Sequence, residues 1–227
     1  MSKTNNGIYF VTGGGTGGHI YPALAIADTL TDDGNKVFYV GNKRNMEFEL
    51  ATNKGYKFLH VSVFGMPRGL NIKFFIWSIK LVKAIVRSVR YIKKYSPDAV
   101  FATGGYVSAP MIFACRITKT PYIMHDCDAM PGLVTRRLSR KAKYVSLAFE
   151  KAKKFIPNKK TIVTGNPIRE SFKTMTKQEA INEMGLENRI TLCIMGGSQG
   201  AKSVNNTVIQ LIKEFSQELN LQIIFHN

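Results

Sequence analysis

Gly13, Gly15 and Gly18 stand at G-x-G-x-x-G spacing in the stretch GGGTGGHIYP, and His19 follows the last of them. Glycines at this spacing let the backbone approach a ligand, and N–H groups at a helix start attract negative charge. The loop therefore suits a phosphate or diphosphate. His19 has two readings, a polar capping residue or a general base. The positive end of a helix disfavours an imidazolium, so a ring placed there stays neutral and can accept a proton.

A dinucleotide would be the usual ligand of such a loop, but it requires an acid roughly 20 residues on, at the end of the next strand. Here KVFYV runs into Gly41, Asn42 and Lys43, and no acid is at hand. A second glycine loop, FATGGYVSAP, carries Gly104, Gly105 and Tyr106. A third, IMGGSQGAKS, nearly spells the nucleotide-binding G-x-x-x-x-G-K-[ST] from Gly196 to Ser203, with Ala201 where the second glycine is required. A tight strand-to-helix turn explains any one of these loops, whereas three of them point to ligand binding at the ends of strands.

The elements that must carry these loops alternate. Strands are expected near Ile8–Val11, Lys36–Val40, Lys57–Val61, Ala99–Ala102, Tyr122–Met124, Lys143–Ser146 and Thr161–Val163. Helices are expected over Pro22–Thr31, with Pro22 in its first turn, and over Ile72–Lys94, Ser108–Arg116 and Leu133–Arg140. Strand–helix alternation predicts an α/β fold with a parallel sheet covered on both faces. Gly165, Asn166 and Pro167 break this texture, and a fresh strand–loop–helix–strand starts at RITLCIM. The expected division is a first domain over 1–165, a linker over 166–188 and a second domain over 189–227. Two strands bury too little surface to stand alone, so the second domain reads as incomplete and the chain as truncated.

The 227 residues carry a formal charge of +17, spread unevenly. Between Glu49 and Asp98 there is no acid, while ten lysines and arginines fall there. Such a surface seeks polyanions: nucleic acid, anionic lipid or a phosphorylated substrate. The segment NIKFFIWSIKLVKAIVRSVRYIKKY adds Phe74, Phe75, Ile76 and Trp77 between Lys73 and Lys80. An apolar block among cations describes a helix lying in an anionic membrane interface. Nucleic acid would call for polar and stacking groups instead, so it is not an expected partner. No apolar run approaches a membrane span and no segment has signal-peptide anatomy. Cys115, Cys127 and Cys193 are scattered, as reduced thiols in a cytosolic protein are, and no metal site or cofactor is expected.

GGGTGGHIYPALAIADTL, TGGYVSAP, GNPIR and GGSQGAKSVN occur in the order and at about the spacing of the MurG family, and the resemblance runs over essentially the whole chain. It implies a two-domain GT-B fold. The activity implied is inverting transfer of N-acetylglucosamine from UDP-N-acetylglucosamine to the 4-hydroxyl of lipid I, an undecaprenyl-diphosphate-linked acceptor, at the cytoplasmic face of the membrane. Other cell-wall enzymes are potential partners of such an enzyme. By resemblance His19 is the base. Gly14, Thr16, Gly17, Gly18, Gly104, Gly105, Tyr106 and Asp128 face the acceptor diphosphate. Thr16, Gly17, Gly18 and Asp128, with Arg169, Gly197, Ser198 and Gln199, face the UDP-sugar. One departure stands out: the family has His-Glu-Gln-Asn where this chain has His125, Asp126, Cys127 and Asp128. An ionised Asp128 cannot donate a hydrogen bond and repels a diphosphate.

Overall fold

Seven apolar runs bounded by glycine, proline and polar residues form one parallel sheet, as strands buried on both faces do. In this computed structural model residues 6–67, 69, 71–157, 160–168, 174–196, 201–215 and 221–226 are described. They fall into two compact units, Met1–Arg169 and Glu170–Asn227.

In the first unit the strands are β1 (Ile8–Thr12), β2 (Lys36–Gly41), β3 (Lys57–His60), β4 (Ala99–Ala102), β5 (Tyr122–Asp126), β6 (Tyr144–Leu147) and β7 (Thr161–Val163). Their order is β3-β2-β1-β4-β5-β6-β7. The helices are α1 (Gly17–Asp32), α2 (Met46–Asn53), α3 (Ile72–Tyr95), α4 (Ala109–Thr118) and α5 (Leu133–Leu138). Successive side chains of a strand point to opposite faces. Val11 and Tyr39 accordingly pack with Ile20, Leu24 and Ala51 of α1 and α2. Phe10 and Phe38 pack with Ala84, Ile92, Met111 and Ile112 of α3 and α4. The chain changes face between β1 and β4, which are hydrogen-bonded neighbours. Their carboxyl ends form the crevice where ligands of open α/β sheets bind.

Two expectations are corrected. Helix α1 begins five residues before Pro22, because the Thr16 carbonyl accepts both the His19 and Ile20 N–H groups at 3.1 Å. Pro22 thus lies inside the helix, where its missing N–H would have met the Gly18 carbonyl. The helix expected to run to Arg140 ends at Leu138 and continues as a 3-10 turn over Ser139–Lys141.

The second unit pairs β8 (Thr191–Met195) with β9 (Gln222–His226) in parallel and carries α6 (Lys177–Glu183) and α7 (Lys202–Phe215). Helix α6 lies within the stretch read as linker and starts with a capping box between Thr176 and Glu179.

Candidate active site

Two glycine loops meet at the crevice, and His19 lies between them. The His19 Nδ1 is 2.9 Å from the Thr103 carbonyl. A carbonyl only accepts, so Nδ1 is the donor, and in the tautomer with a single ring hydrogen the lone pair lies on Nε2. Thr103 also holds the backbone of His19: its buried hydroxyl donates to the His19 carbonyl at 2.6 Å, and its own N–H donates to Thr12 at 2.9 Å. The glycines make this clasp possible. Gly104 has φ +95°, and a Cβ there would sit 3.0 Å from His19 Nδ1. Gly105 has φ +74°, and a Cβ there would come within 2.2 Å of the Gly14 carbonyl.

The first loop is held from beneath by Glu47, which is fully buried. Its carboxylate accepts from the N–H of Asn42 at 3.1 Å, the side chain of Asn45 at 3.1 Å and the N–H of Gly15 at 3.4 Å. The Tyr39 hydroxyl donates to the Gly13 carbonyl at 2.7 Å, and burial first, then the charge of Glu47, pushes that hydroxyl far above its usual range. Tyr106 closes over the same loop and accepts from Asn45 at 3.3 Å. The Gly15 amide is therefore committed inward. The N–H groups of Gly17 and Gly18 precede the first intrahelical bonds and remain for an anion.

A third loop approaches from β5. Buried Asp126 accepts from the N–H groups of Asp128 and Gly132, both at 3.2 Å, which fixes the turn between them. Asp128 is exposed, and Cys127 Sγ would lie 3.9 Å from a Cβ at Gly18. Burial, with the nearby carboxylates of Asp128 and Asp126, pushes the Cys127 thiol up to about 11, so it is a neutral wall of the site. Below the loop, His125 meets Asn166 Oδ1 through Nε2 at 3.1 Å and Ser146 Oγ through Nδ1 at 2.9 Å.

Gly14, Thr16, Gly17, Gly18, His19, Gly104, Gly105 and Tyr106 are thus brought together at two adjoining loops. Arg169, Gly197, Ser198 and Gln199 lie outside the described residues. The four aromatic and aliphatic residues proposed for the membrane divide in two. Phe75 and Ile76 are 68% and 46% exposed, while Phe74 and Trp77 are half-buried, with the Trp77 indole donating to the Phe64 carbonyl at 2.9 Å. Sequence reasoning missed Thr103, Asn45 and Glu47. Thr103 had a signal, since it directly precedes the glycine pair; Glu47 had none, since an acid at a helix start reads as solvated.

The model of the glycosyltransferase family 28 N-terminal domain matches residues 9–147. The chain belongs to glycosyltransferase family 28. The matched residues run from β1 to the end of β6 and include every residue of the clasp. Two curated relatives carry the name UDP-N-acetylglucosamine–N-acetylmuramyl-(pentapeptide) pyrophosphoryl-undecaprenol N-acetylglucosamine transferase. The one from Halothermothrix orenii is 36% identical over 217 residues, which are 94% of this chain and 58% of the relative. The one from Caldicellulosiruptor saccharolyticus is 37% identical over 90% of this chain and 56% of the relative. The chain thus spans less than two thirds of the curated relatives it matches. The solved structure of Acinetobacter baumannii MurG aligns with a TM-score of 0.71 at 25% identity, covering 97% of this chain and 69% of that one. The α/β, GT-B-type reading of the family 28 chain is borne out by this likeness and by the parallel sheet.

Proposed function

We propose that this chain supplies the acceptor half, and the opening of the donor half, of an inverting transferase. It moves N-acetylglucosamine from UDP-N-acetylglucosamine to the 4-hydroxyl of lipid I and so makes lipid II. The observation that carries the reading is the contact of His19 Nδ1 with the Thr103 carbonyl. Nδ1 donates to that carbonyl, which leaves Nε2 to accept the proton of a sugar hydroxyl. As that proton leaves, the hydroxyl oxygen attacks the anomeric carbon from the face opposite UDP. The bond from that carbon to the UDP oxygen breaks, and the electron pair leaves with UDP. Gly17, Gly18 and the Gly104–Tyr106 turn are assigned to the acceptor diphosphate. Arg169, Gly197, Ser198 and Gln199 are assigned to UDP, whose developing charge they would neutralise.

The work belongs at the cytoplasmic membrane face. No described helix is long and apolar enough to cross a membrane. Helix α3 instead exposes Ile72, Phe75, Ile76, Ile79, Val82 and Val86 along one side, among lysines and arginines. That is the anatomy of a peripheral helix.

Asp128 favours a second reading in which the same chemistry serves another lipid-linked acceptor, because its exposed carboxylate would repel a diphosphate. The deciding experiment is transfer of labelled N-acetylglucosamine to lipid I by the full-length protein, with and without Asp128→Asn. Lipid II formation supports the first reading. Product only with another lipid acceptor, or only after Asp128→Asn, supports the second. A folded protein that glycosylates no lipid refutes both.

A further inference from the structure

Beside the clasp lies a cavity of about 380 Å³, within the range of roughly 300–1,000 Å³ usual for small-molecule sites. His19, Gly105 and Tyr106 line it together with Trp77, Leu81 and Phe113. The rest of its wall comes from the segment after β3, from Ala109 at the start of α4 and from α5 with the glycine before it, and is nearly all apolar. Two of the lining residues, Met66 and Leu133, are 53% and 46% exposed, so the mouth is apolar as well. Arg137 lines it too and is exposed, which sets one cation beside an otherwise uncharged wall.

A polar sugar has few partners among such side chains, whereas a hydrocarbon chain would exchange water for them. The cavity also shares helix α3 with the outward apolar stripe. Trp77 and Leu81 face the cavity, while Phe75, Ile76 and Ile79 are exposed. A chain coming from a bilayer under α3 would reach this cavity next, and its diphosphate would then lie near the glycine turns and Arg137.

We infer that the cavity is a subsite for the first isoprene units of the acceptor's polyprenyl chain, adjacent to its diphosphate. The inference rests on the acceptor reading proposed above. It makes the protein recognise the lipid as well as the sugar and phosphates, with the membrane holding only the distal chain.

Trp77 is the sole tryptophan of the chain, so its emission reports on the cavity wall directly. The 227-residue chain is titrated with farnesyl diphosphate, with decyl phosphate and with inorganic pyrophosphate, each below its aggregation threshold. Farnesyl diphosphate should change Trp77 emission saturably, at concentrations about tenfold lower than decyl phosphate, and pyrophosphate should leave it unchanged. Ala109→Phe, which fills the cavity from the start of α4, should weaken the response about tenfold with an unaltered circular dichroism spectrum. The double variant Phe75→Ser with Ile76→Ser should respond like the parent, because both side chains are outside the cavity.

No response to farnesyl diphosphate, an equal response to decyl phosphate, or a response kept in Ala109→Phe and lost in the double variant overturns the inference. The two layers of the proposal separate cleanly. Transfer to lipid I without a farnesyl response removes the subsite and leaves the acceptor reading. A farnesyl response without transfer removes the acceptor reading and leaves an isoprenoid site.

Discussion

At the scale of single residues, the site depends on two contacts across 84 positions of sequence, both between His19 and Thr103. His19→Gln removes the proton acceptor, and kcat for sugar transfer should fall about 10²–10⁴-fold with little change in the KM for the UDP-sugar. Thr103→Val deletes only the hydroxyl bond to the His19 carbonyl. It should cost about 1–3 kcal/mol in urea unfolding, since it leaves a carbonyl without that partner, and it should lower kcat less than His19→Gln. An intact kcat in His19→Gln would remove His19 from the chemistry. A second residue-scale effect concerns pH. Burial, ahead of every other influence, lowers the pKa of His125 from its ordinary value near 6.5, and burial with Arg87 and Lys43 does the same to His60. Unfolded, both rings bind protons at a pH where the folded protein does not. The unfolded chain therefore holds more protons in that window, and stability rises with pH across it. It is fully present above about 6.5 and is lost as pH falls from there through the folded values. Urea midpoints measured from pH 7.5 down to 5 should decline, and His125→Gln should flatten part of the slope. A level profile in the parent would show that His125 is protonated inside the fold without cost.

At the scale of elements, the sequence was most legible where the pattern is local. All seven strands of the large sheet stand where the apolar runs put them, because parallel strands buried on both faces read as continuous apolar segments between turn residues. The start of α1 was obscured because glycines and a proline are poor helix formers. Here the Thr16 carbonyl and the clasp hold that first turn. Helix α2 is short and opens with two acids, one of which, Glu47, is buried under the glycine loop. Which glycine loop faces which, and which ring nitrogen of His19 is bonded, are long-range facts that no periodicity encodes. Helix α3 was legible in its amphipathic character but not in its division of labour. Its inner side is Ala84, Ser88 and Ile92, spaced by four, and its outer side is the apolar stripe. The triple variant Phe75→Ser, Ile76→Ser and Ile79→Ser should therefore leave stability within about 1.5 kcal/mol, as three surface changes do. The same variant should lose most flotation with anionic vesicles. Neutralising Lys73 and Lys80 to Gln should weaken flotation by about 1 kcal/mol per site, and the loss should shrink at high salt. Full flotation of the triple variant would move the membrane contact off α3.

At the scale of the whole molecule, the two units differ in what they bury. The first has apolar cores on both faces of its sheet, with Phe10, Phe38, Tyr39 and Met124 wholly enclosed. In the second, Ile190 and Met195 are 72% and 68% exposed, and Leu192, Val204, Ile209 and Leu211 are exposed as well. Two parallel strands and their helices enclose too little apolar surface to offset the entropy of ordering them. Amide hydrogen exchange should record this contrast. The N–H groups of β1, β4 and β5 should exchange only through global unfolding. Those of β8 and β9 should exchange through local opening, at least about 10³-fold faster. A chain ending at residue 169 should then keep the unfolding midpoint of the longer one, because the second unit would add nothing to the cooperative core. If β8 and β9 prove as protected as β1, something covers Ile190, Leu192 and Met195 in solution. Dilution would tell its source: protection that fades as the protein is diluted comes from a second copy, and protection that persists comes from the chain itself.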